Sequence, residues 1–222
     1  MATSAKKGEL PRKEAIVLKG HEGSVLAVRF NGNGNYCLSC GKDRTVRLWN
    51  PHRGIHIKTY KSHGREVRDV HTSPDNSKLI SCGGDRQVFY WDVESGRVIR
   101  KFRGHDSEVN SVKFNEFAWV VISAGYDQSV RAWDCRSHST EPIQIIDTFT
   151  DSVMSVCLTK SEVIAGSVDG TVRTFDIRMG LVENFCKNTK ATFASDAHIT
   201  GGSEDGSIYF WDLVDASVIL KF

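Results

Sequence analysis

The sequence has little net charge, and what it has lies at one end. Lysine and arginine number 29 against 27 aspartate and glutamate residues. The excess is concentrated in the first 13 residues, which carry Lys6, Lys7, Arg12 and Lys13 against Glu9. A domain that binds nucleic acid mainly through its phosphates needs a strongly basic face. We therefore expect residues 1–13 to be a disordered basic tail and the remainder to bind no nucleic acid directly.

Long apolar runs and helical periodicity are also missing. No run approaches the roughly 20 residues of a membrane helix, and residues 1–13 lack the apolar stretch of a secretory signal. The six cysteines are scattered, which is typical of a reducing compartment without disulfides. No segment sustains a 3.6-residue apolar period, so we expect almost no helix and no membrane partner.

What the sequence does contain is a repeat of 42 residues. An aspartate recurs at this interval as Asp43, Asp85, Asp127 and Asp169. An aromatic residue follows in the same register as Trp49, Trp91, Trp133 and Phe175. A late copy, Asp205 with Trp211, comes after only 36 residues. The repeat divides residues 14–222 into units at about 20–61, 62–103, 104–146, 147–186 and 187–222, the last of them shortened.

Each unit is predicted to form four short strands. In the first unit, β-branched and aromatic runs at 25–30, 36–40, 46–50 and 56–60 are separated by turn residues. Four strands per unit, with Gly-His before them and Trp-Asp at the third, resemble the WD-repeat family. The resemblance implies an all-β fold, a WD-repeat β-propeller of about five four-stranded blades.

The resemblance also implies a buried network in each blade. In the family, the indole N–H of the tryptophan meets a serine on the second strand, the serine meets the Gly-His imidazole, and the imidazole meets the turn aspartate. By register these roles fall on His21, Ser39, Asp43 and Trp49; on His63, Ser81, Asp85 and Trp91; and on His105, Ser123, Asp127 and Trp133. A closed buried network of this kind fixes the geometry of a blade.

The fourth unit departs from this pattern. It has no histidine before its first strand, Ala165 stands in place of the serine, and Phe175 replaces the tryptophan. Asp169 is then expected to act as a turn former beside Gly170. We predict that this unit is the softest of the first four.

Two catalytic or metal interpretations compete with the structural one. A serine, a histidine and an aspartate occur together three times, as in a hydrolytic triad, but a catalytic set is unique in a chain and needs an oxyanion hole. Cys37 and Cys40 form a Cys-x-x-Cys pair, but no second pair follows to complete a zinc site. We expect structural thiols, no metal, no cofactor and no enzymatic activity.

One motif favours a more specific function. Trp133-Asp134-Cys135-Arg136 ends a third strand and resembles the Trp-Asp-x-Arg box of WD-repeat substrate receptors in cullin-based ubiquitin ligases. The resemblance implies that Asp134 and Arg136 contact the damage-specific DNA-binding protein adaptor. The alternative is that Arg136 is a solvated residue after the strand.

A second candidate surface is the top rim, formed by the loops before each first strand and the residues that begin that strand. Its mixed charge suits a protein partner. The candidate partner contacts there are Arg65, Glu66, Arg68, Glu108 and Asn110.

Several further stretches, among them 48–54, 100–105 and 165–180, are similar to a branch of the WD-repeat family associated with kinase-cascade assembly and with spliceosomal complexes. The resemblance implies a non-catalytic protein-interaction scaffold in cytoplasm and nucleus, with signalling kinases or spliceosome components as partners. The alternative function is the ubiquitin-ligase receptor.

The length does not fit a complete ring of this family, whose members resemble seven-blade propellers. Residues 15–19 form a candidate outer strand with no blade before it, while 218–222 already supply that strand to the last unit. We expect an incomplete ring that has lost at least one blade internally, around 181–195, and a further blade at the C-terminus. The segment 188–195 then serves as the inner strand of the last unit or leaves that strand absent. The alternative is a genuine small propeller that closes with five blades.

Overall fold

The computed structural model describes residues 16–177, and beyond them the backbone of five strands between Val182 and Lys221. The described residues form strands and turns and no helix, as predicted. No helix in this part of the chain is long and apolar enough to cross a membrane.

In the described part of the chain, twenty strands form five antiparallel sheets of four strands each. Blade 1 contains β1 (Val25–Phe30), β2 (Cys37–Gly41), β3 (Thr45–Asn50) and β4 (Ile55–Lys61). Blade 2 contains β5 (Val67–Thr72), β6 (Lys78–Gly83), β7 (Gln87–Asp92) and β8 (Val98–Arg103). Blade 3 contains β9 (Val109–Phe114), β10 (Val120–Gly125), β11 (Val130–Asp134) and β12 (Gln144–Ile146).

The remaining two sheets follow the same order. Blade 4 contains β13 (Val153–Leu158), β14 (Glu162–Ser167), β15 (Thr171–Asp176) and β16 (Val182–Cys186). Blade 5 contains β17 (Lys190–Ser195), β18 (His198–Gly202), β19 (Ile208–Asp212) and β20 (Val218–Lys221). The inner strands β1, β5, β9, β13 and β17 pack side by side in this order. The predicted all-β propeller of about five four-stranded blades is confirmed.

A recurring turn connects the second and third strands and fixes each blade's upper end. The residue after Gly41 donates its N–H to the Ser24 carbonyl at 2.9 Å, and the residue after Gly83 donates to the Glu66 carbonyl at 3.0 Å. A Cβ on either glycine would collide with that same carbonyl. Glycine is required here because the turn must lie directly against the loop that leads into the inner strand.

The core is divided among the spaces between neighbouring blades. Between blades 1 and 2, the first blade contributes Leu38 and Tyr60 while the second contributes Val70 and Trp91. Equivalent clusters lie between blades 2 and 3 and between blades 3 and 4. Blades 2 and 3 therefore each bury one face against the preceding blade and the other against the following blade, as repeat architectures do.

The first blade lacks this cover on one side. Val25, Val28 and Phe30 of β1 are about half exposed, so the ring is open at blade 1. Residues 16–19 do not form the predicted outer strand. That prediction is wrong for these residues because β20 already holds the outer position of the last blade.

Candidate functional site

A chain of three hydrogen bonds runs through the interior of blade 3. The Trp133 indole N–H donates to Ser123 Oγ at 2.8 Å. Ser123 Oγ lies 2.7 Å from His105 Nε2, and His105 Nδ1 lies 2.7 Å from Asp127 Oδ2. Since the carboxylate only accepts, His105 Nδ1 carries the proton in its contact with Asp127.

Blades 1 and 2 repeat this geometry. His21, Ser39, Asp43 and Trp49 are joined by contacts of 2.6–2.8 Å. The second set has contacts of 2.7–2.9 Å and consists of His63, Ser81, Asp85 and Trp91. The sequence register thus places all twelve side chains in three closed networks.

Two of the network aspartates, Asp127 and Asp43, have a lowered pKa, which favours their charged form. Burial raises the pKa of Asp127, but the His105 hydrogen bond and charge, with further donation from Ser129, outweigh it and lower that pKa to about 2. Burial also raises the pKa of Asp43, but hydrogen bonds from His21 and Thr45 outweigh burial and lower that pKa.

Blade 4 replaces the polar network with an aromatic pair. The Phe149 and Phe175 rings lie 5.8 Å apart, close to the 5.9 Å between the His105 and Trp133 rings. Phe149 takes the position that the histidine has in blades 1–3. A strict 42-residue repeat would place that position at residue 147. Because Ala165 has no hydroxyl and neither ring needs a hydrogen bond, this blade leaves no polar atom of the triad unpaired.

Asp169 does more than form a turn, which corrects the prediction for this residue. It accepts hydrogen bonds from Thr150 and Thr171, and Arg173 Nη2 lies 3.1 Å from its Oδ2. These donors and the arginine outweigh burial and lower the pKa of Asp169.

An arginine column is the feature that sequence reasoning missed. Four residues after the aspartate, Arg47, Arg131 and Arg173 each approach their carboxylate at 3.1–3.6 Å. The repeated Val-Arg on the third strand was the signal that could have identified it.

Among the first four blades, blade 2 is the exception in that column. Phe89 stands in the arginine position, and Gln87 stands where the other blades have a hydroxyl that donates to the aspartate. As a consequence, Asp85 Oδ1 is buried without a hydrogen-bond partner, as is Gln87 Oε1.

The hydrolytic interpretation has no geometric support. Each serine hydroxyl lies between an indole N–H and an imidazole in the blade interior, and Ser81 and Ser123 are fully buried. A substrate carbonyl could not reach these oxygens without opening the blade.

The cysteines in the described part of the chain are free thiols, and three of the five are buried. Cys37 and Cys40 are both buried, and burial raises the pKa of each. Burial also raises the pKa of Cys135 to about 12. Among the described residues, no three His, Cys, Asp or Glu side chains come together in a way that could hold a metal.

On the top rim, the predicted contacts converge on Arg68. Its guanidinium bonds Asn110 Oδ1 at 2.8 Å, Glu66 Oε1 at 3.1 Å and, more closely still, Glu108 Oε2. The guanidinium carbon also lies 5.0 Å from the Tyr126 ring centroid, a cation–π contact. We call these five residues the Arg68 cluster.

Asn110 is not the exposed contact that was predicted, and that prediction is wrong. Its side chain is buried, because its amide donates to the Val153 carbonyl at 3.0 Å on the next blade. Asn110 therefore joins blade 3 to blade 4 and positions Arg68 from below.

Beside the Arg68 cluster lies an open depression of about 610 Å³. Arg65, whose side chain is 68% exposed, reaches across to Glu108 at 4.0 Å. The lining is charged and carries both signs: Gly64, Arg65, Gly84, Asp85, Arg86, Asp106, Ser107 and Glu108. Such a surface can recognise a protein segment of mixed charge, because it offers fixed donors and acceptors that are not all used internally.

Arg136 lies on the opposite rim. Its side chain is 61% exposed, and its Nε lies 3.2 Å from Asp134 Oδ1. The guanidinium carbon lies 5.0 Å from the Trp119 ring centroid. Trp119 stacks in turn on Phe117, with ring centroids 5.2 Å apart.

The Phe117–Trp119 pair was also missed by sequence reasoning. Both rings are exposed, whereas the same turn of blade 2 carries Asp75 and Ser77 at these two positions. Aromatic residues in a turn that is otherwise polar were the available signal. Together with Arg136 they form a surface of the residue types that are enriched in interface hot spots.

A third charged group lines the inner strands. Asp69 is buried and contacts Arg29 at 3.0 Å and Lys113 at 3.2 Å. Next to it, His71 Nδ1 accepts the Phe114 N–H at 3.2 Å. Burial and then the Lys113 charge lower the pKa of His71 to about 4, against the opposing influence of Asp69.

Known proteins resemble the chain over most of its length. Residues 12–50 match the family model of the WD domain, G-beta repeat, and residues 35–220 match that of the Nucleolar protein 10-like, N-terminal domain. The chain is 50% identical to WD repeat domain-containing protein 83 of Rattus norvegicus, over 96% of this chain and 82% of the rat protein. It is 48% identical to the protein of the same name from Xenopus tropicalis, over 99% of this chain and 85% of the Xenopus protein.

A solved structure supports the fold. The chain superposes on the structure of U3-55K with a TM-score of 0.85 at 21% identity, and the match covers 92% of this chain but 66% of that one. The two chains therefore share the same fold.

The alignment with the rat protein extends over 260 positions, but this chain has only 222 residues. At least 38 aligned positions, the difference between these two numbers, therefore have no residue here. That difference is close to one 42-residue repeat, which supports the predicted internal shortening. On its sequence and its fold, the chain belongs to the WD repeat domain-containing protein 83 family of WD-repeat β-propellers.

Proposed function

We propose that the chain is a non-catalytic scaffold that assembles signalling-kinase or pre-mRNA splicing complexes in cytoplasm and nucleus. WD-repeat propellers generally act as protein-interaction scaffolds, and the curated relatives carry no enzymatic name. The finer assignment rests on the family resemblance of this sequence.

The observation that carries the proposal is the Arg68 cluster with its charged depression. Blades 2 and 3 hold these side chains at fixed positions on a rigid scaffold, where binding residues are commonly found. Arg65 and Glu108 remain accessible at its edge, so a partner can exchange their long 4.0 Å contact for direct ion pairs.

The test is quantitative affinity purification of the tagged chain with a charge reversal, Arg65→Glu. Arg65 is exposed and makes one long ion pair, so the variant should fold normally, which its melting temperature checks. The matched control is Arg97→Glu, an exposed arginine in the turn between β7 and β8. We expect kinase-cascade or splicing components with the unmodified chain and the control, and a loss of at least about fivefold with Arg65→Glu. Equal capture by both variants, or no such component with any chain, would refute the proposal.

A second function, substrate receptor of a cullin-based ubiquitin ligase, is favoured by the exposure of Arg136 on its Trp119 support. The damage-specific DNA-binding protein adaptor would then pair with the free edge of this guanidinium. Purified adaptor should be captured by the unmodified chain and by Arg97→Ala but not by Arg136→Ala. Failure of the unmodified chain to capture the adaptor removes this candidate.

A further inference from the structure

A cavity of about 320 Å³ lies among the inner strands, and β1, β5, β9 and β13 all contribute to its lining. Three of these strands each present a basic or hydrogen-bonding side chain to it: Arg29, His71 and Lys113. We call these three residues the inner basic group. They occupy one position of the 42-residue repeat, so the stacking of the blades brings them together. The cavity lies at the lower end of the size range of small-ligand sites, about 300–1,000 Å³.

The charge of this cavity is not balanced. None of the described lining residues is acidic, and the carboxylate behind them, Asp69, contacts both Arg29 at 3.0 Å and Lys113 at 3.2 Å. Asp69 also accepts hydrogen bonds from two backbone N–H groups and from the Ser111 hydroxyl, at 3.0–3.2 Å. One carboxylate shared among these five donors leaves the two cations with an excess of positive charge toward the cavity.

The cations are accessible, but the carboxylate is not. The side chain of Arg29 is 43% exposed and that of Lys113 is 16% exposed, while that of Asp69 is 2% exposed. A ligand that enters the cavity therefore meets the two cations before the carboxylate. Asp69 holds both cations in place from behind, so the site is ordered before a ligand arrives.

His71 adds a neutral donor of fixed direction. Its Nδ1 accepts the Phe114 N–H at 3.2 Å, so the proton of the neutral ring lies on Nε2. That N–H donates to no other described residue. Burial and then the Lys113 charge lower the pKa of His71 to about 4, which keeps the ring in this neutral form at neutral pH. The same positive surroundings that disfavour a protonated imidazole favour an anion beside it.

We propose that the inner basic group binds a phosphate group, either inorganic phosphate or a small phosphate monoester. The Arg29 guanidinium and the Lys113 ammonium supply charge-assisted hydrogen bonds, and the Nε2–H of His71 supplies a third, neutral one. A phosphate group has enough oxygens to accept from all three strands at once, which a carboxylate has not. This site shares no residue with the Arg68 cluster or with the surface around Arg136.

The first experiment is a titration of the full chain with sodium phosphate at neutral pH and constant ionic strength. Binding is followed through the imidazole signals of His71 in NMR spectra, which His71→Gln identifies by their loss. We expect a saturable shift with a dissociation constant on the order of 1 mM. Glycerol 2-phosphate is titrated in the same way, and tighter binding than that of inorganic phosphate assigns the site to a monoester, whereas weaker binding assigns it to the free ion.

The second experiment repeats the titration with variants. Lys113→Met removes one cation at similar length and should weaken phosphate binding at least about tenfold, whereas Lys113→Arg should retain it. Arg29→Met should weaken binding to a similar extent, and its partly exposed position makes it the informative variant if Lys113→Met does not fold. The matched control is Lys78→Met, which removes a strand lysine that pairs with Asp92 at 2.6 Å outside the lining of the cavity. This control should bind as the unmodified chain does.

A third titration with sodium acetate separates phosphate from a simple carboxylate, and acetate should bind at least about tenfold more weakly. Three results would overturn the proposal. They are the absence of a saturable His71 shift up to about 50 mM phosphate, unchanged affinity in both Lys113→Met and Arg29→Met, and acetate binding as tight as that of phosphate.

Discussion

Removing one hydroxyl, with the substitution Ser123→Ala, should destabilise blade 3 far more than its small volume change suggests. The hydroxyl accepts from the Trp133 indole at 2.8 Å and bonds His105 at 2.7 Å. All three side chains are buried, so the substitution leaves two polar atoms without partners. Each such atom costs about 1–3 kcal/mol, and we expect a loss of about 3 kcal/mol in the free energy of unfolding.

Blade 4 shows why an alanine at the serine position need not destabilise a blade. Ala165 lies at the serine position there, in the same buried cluster as Phe149 and Phe175. In a His105→Phe, Trp133→Phe background, adding Ser123→Ala should therefore cost less than about 1 kcal/mol, because no buried polar atom is orphaned. The difference between the two backgrounds measures the coupling within the network.

Urea unfolding monitored by circular dichroism measures the cost of Ser123→Ala in both backgrounds. The cost is obtained from the shift of the urea midpoint, with the same dependence of the unfolding free energy on urea concentration for all variants. Equal costs of Ser123→Ala in the two backgrounds would refute the reasoning, since the serine would then act through volume and not through its hydrogen bonds. A cost below about 0.5 kcal/mol in the unmodified chain would refute it as well.

Three further predictions concern other positions. Gln87→Thr should raise the free energy of unfolding by about 1 kcal/mol, since a hydroxyl there can donate to the orphaned Asp85 oxygen; an unchanged urea midpoint would contradict it. Gly83→Ala should lower the melting temperature by roughly 5 °C because its Cβ meets a carbonyl, whereas Gly64→Ala, which faces open space, should have little effect. The pKa of His71 is about 4 in the folded chain, which is below its value in the unfolded chain, so folding favours the neutral imidazole. This preference should contribute about 3 kcal/mol to the free energy of unfolding above pH 6.5, and the contribution should be lost as the pH falls toward 4. His71→Gln should lose less stability than the unmodified chain between pH 7 and 4.5 in urea unfolding, and an identical loss would contradict the assignment.

Much of the fold follows from the sequence because the repeat is local. The aspartate and tryptophan columns locate the turn and third strand of each blade, so strand number and order could be counted. The networks of blades 1–3 follow for the same reason, since their members keep constant spacing. Phe149 did not follow, because the loop after β11 is longer and shifts this residue by two positions out of register.

The features that could not be predicted from the sequence depend on contacts between neighbouring blades. Asn110 lies near the start of an inner strand on the rim, but blade 4 offers its side chain a carbonyl acceptor and buries it. Val28 has the pattern of Val70 and Val112, yet it is half exposed, because no described blade covers it as blades 1 and 2 cover those two valines. The pairing of Arg68 with Glu108 likewise joins two blades, and residues 40 apart in sequence do not reveal which of the rim charges will meet.

The central claim is that this chain acts by holding protein components together, and simultaneous binding tests it most directly. Two components captured in the affinity purification are mixed with the chain and examined by sedimentation velocity. The account predicts one species that contains the chain and both components, and its loss with Arg65→Glu. Mutually exclusive binding of the two components, or a ternary species that Arg65→Glu leaves intact, would contradict it.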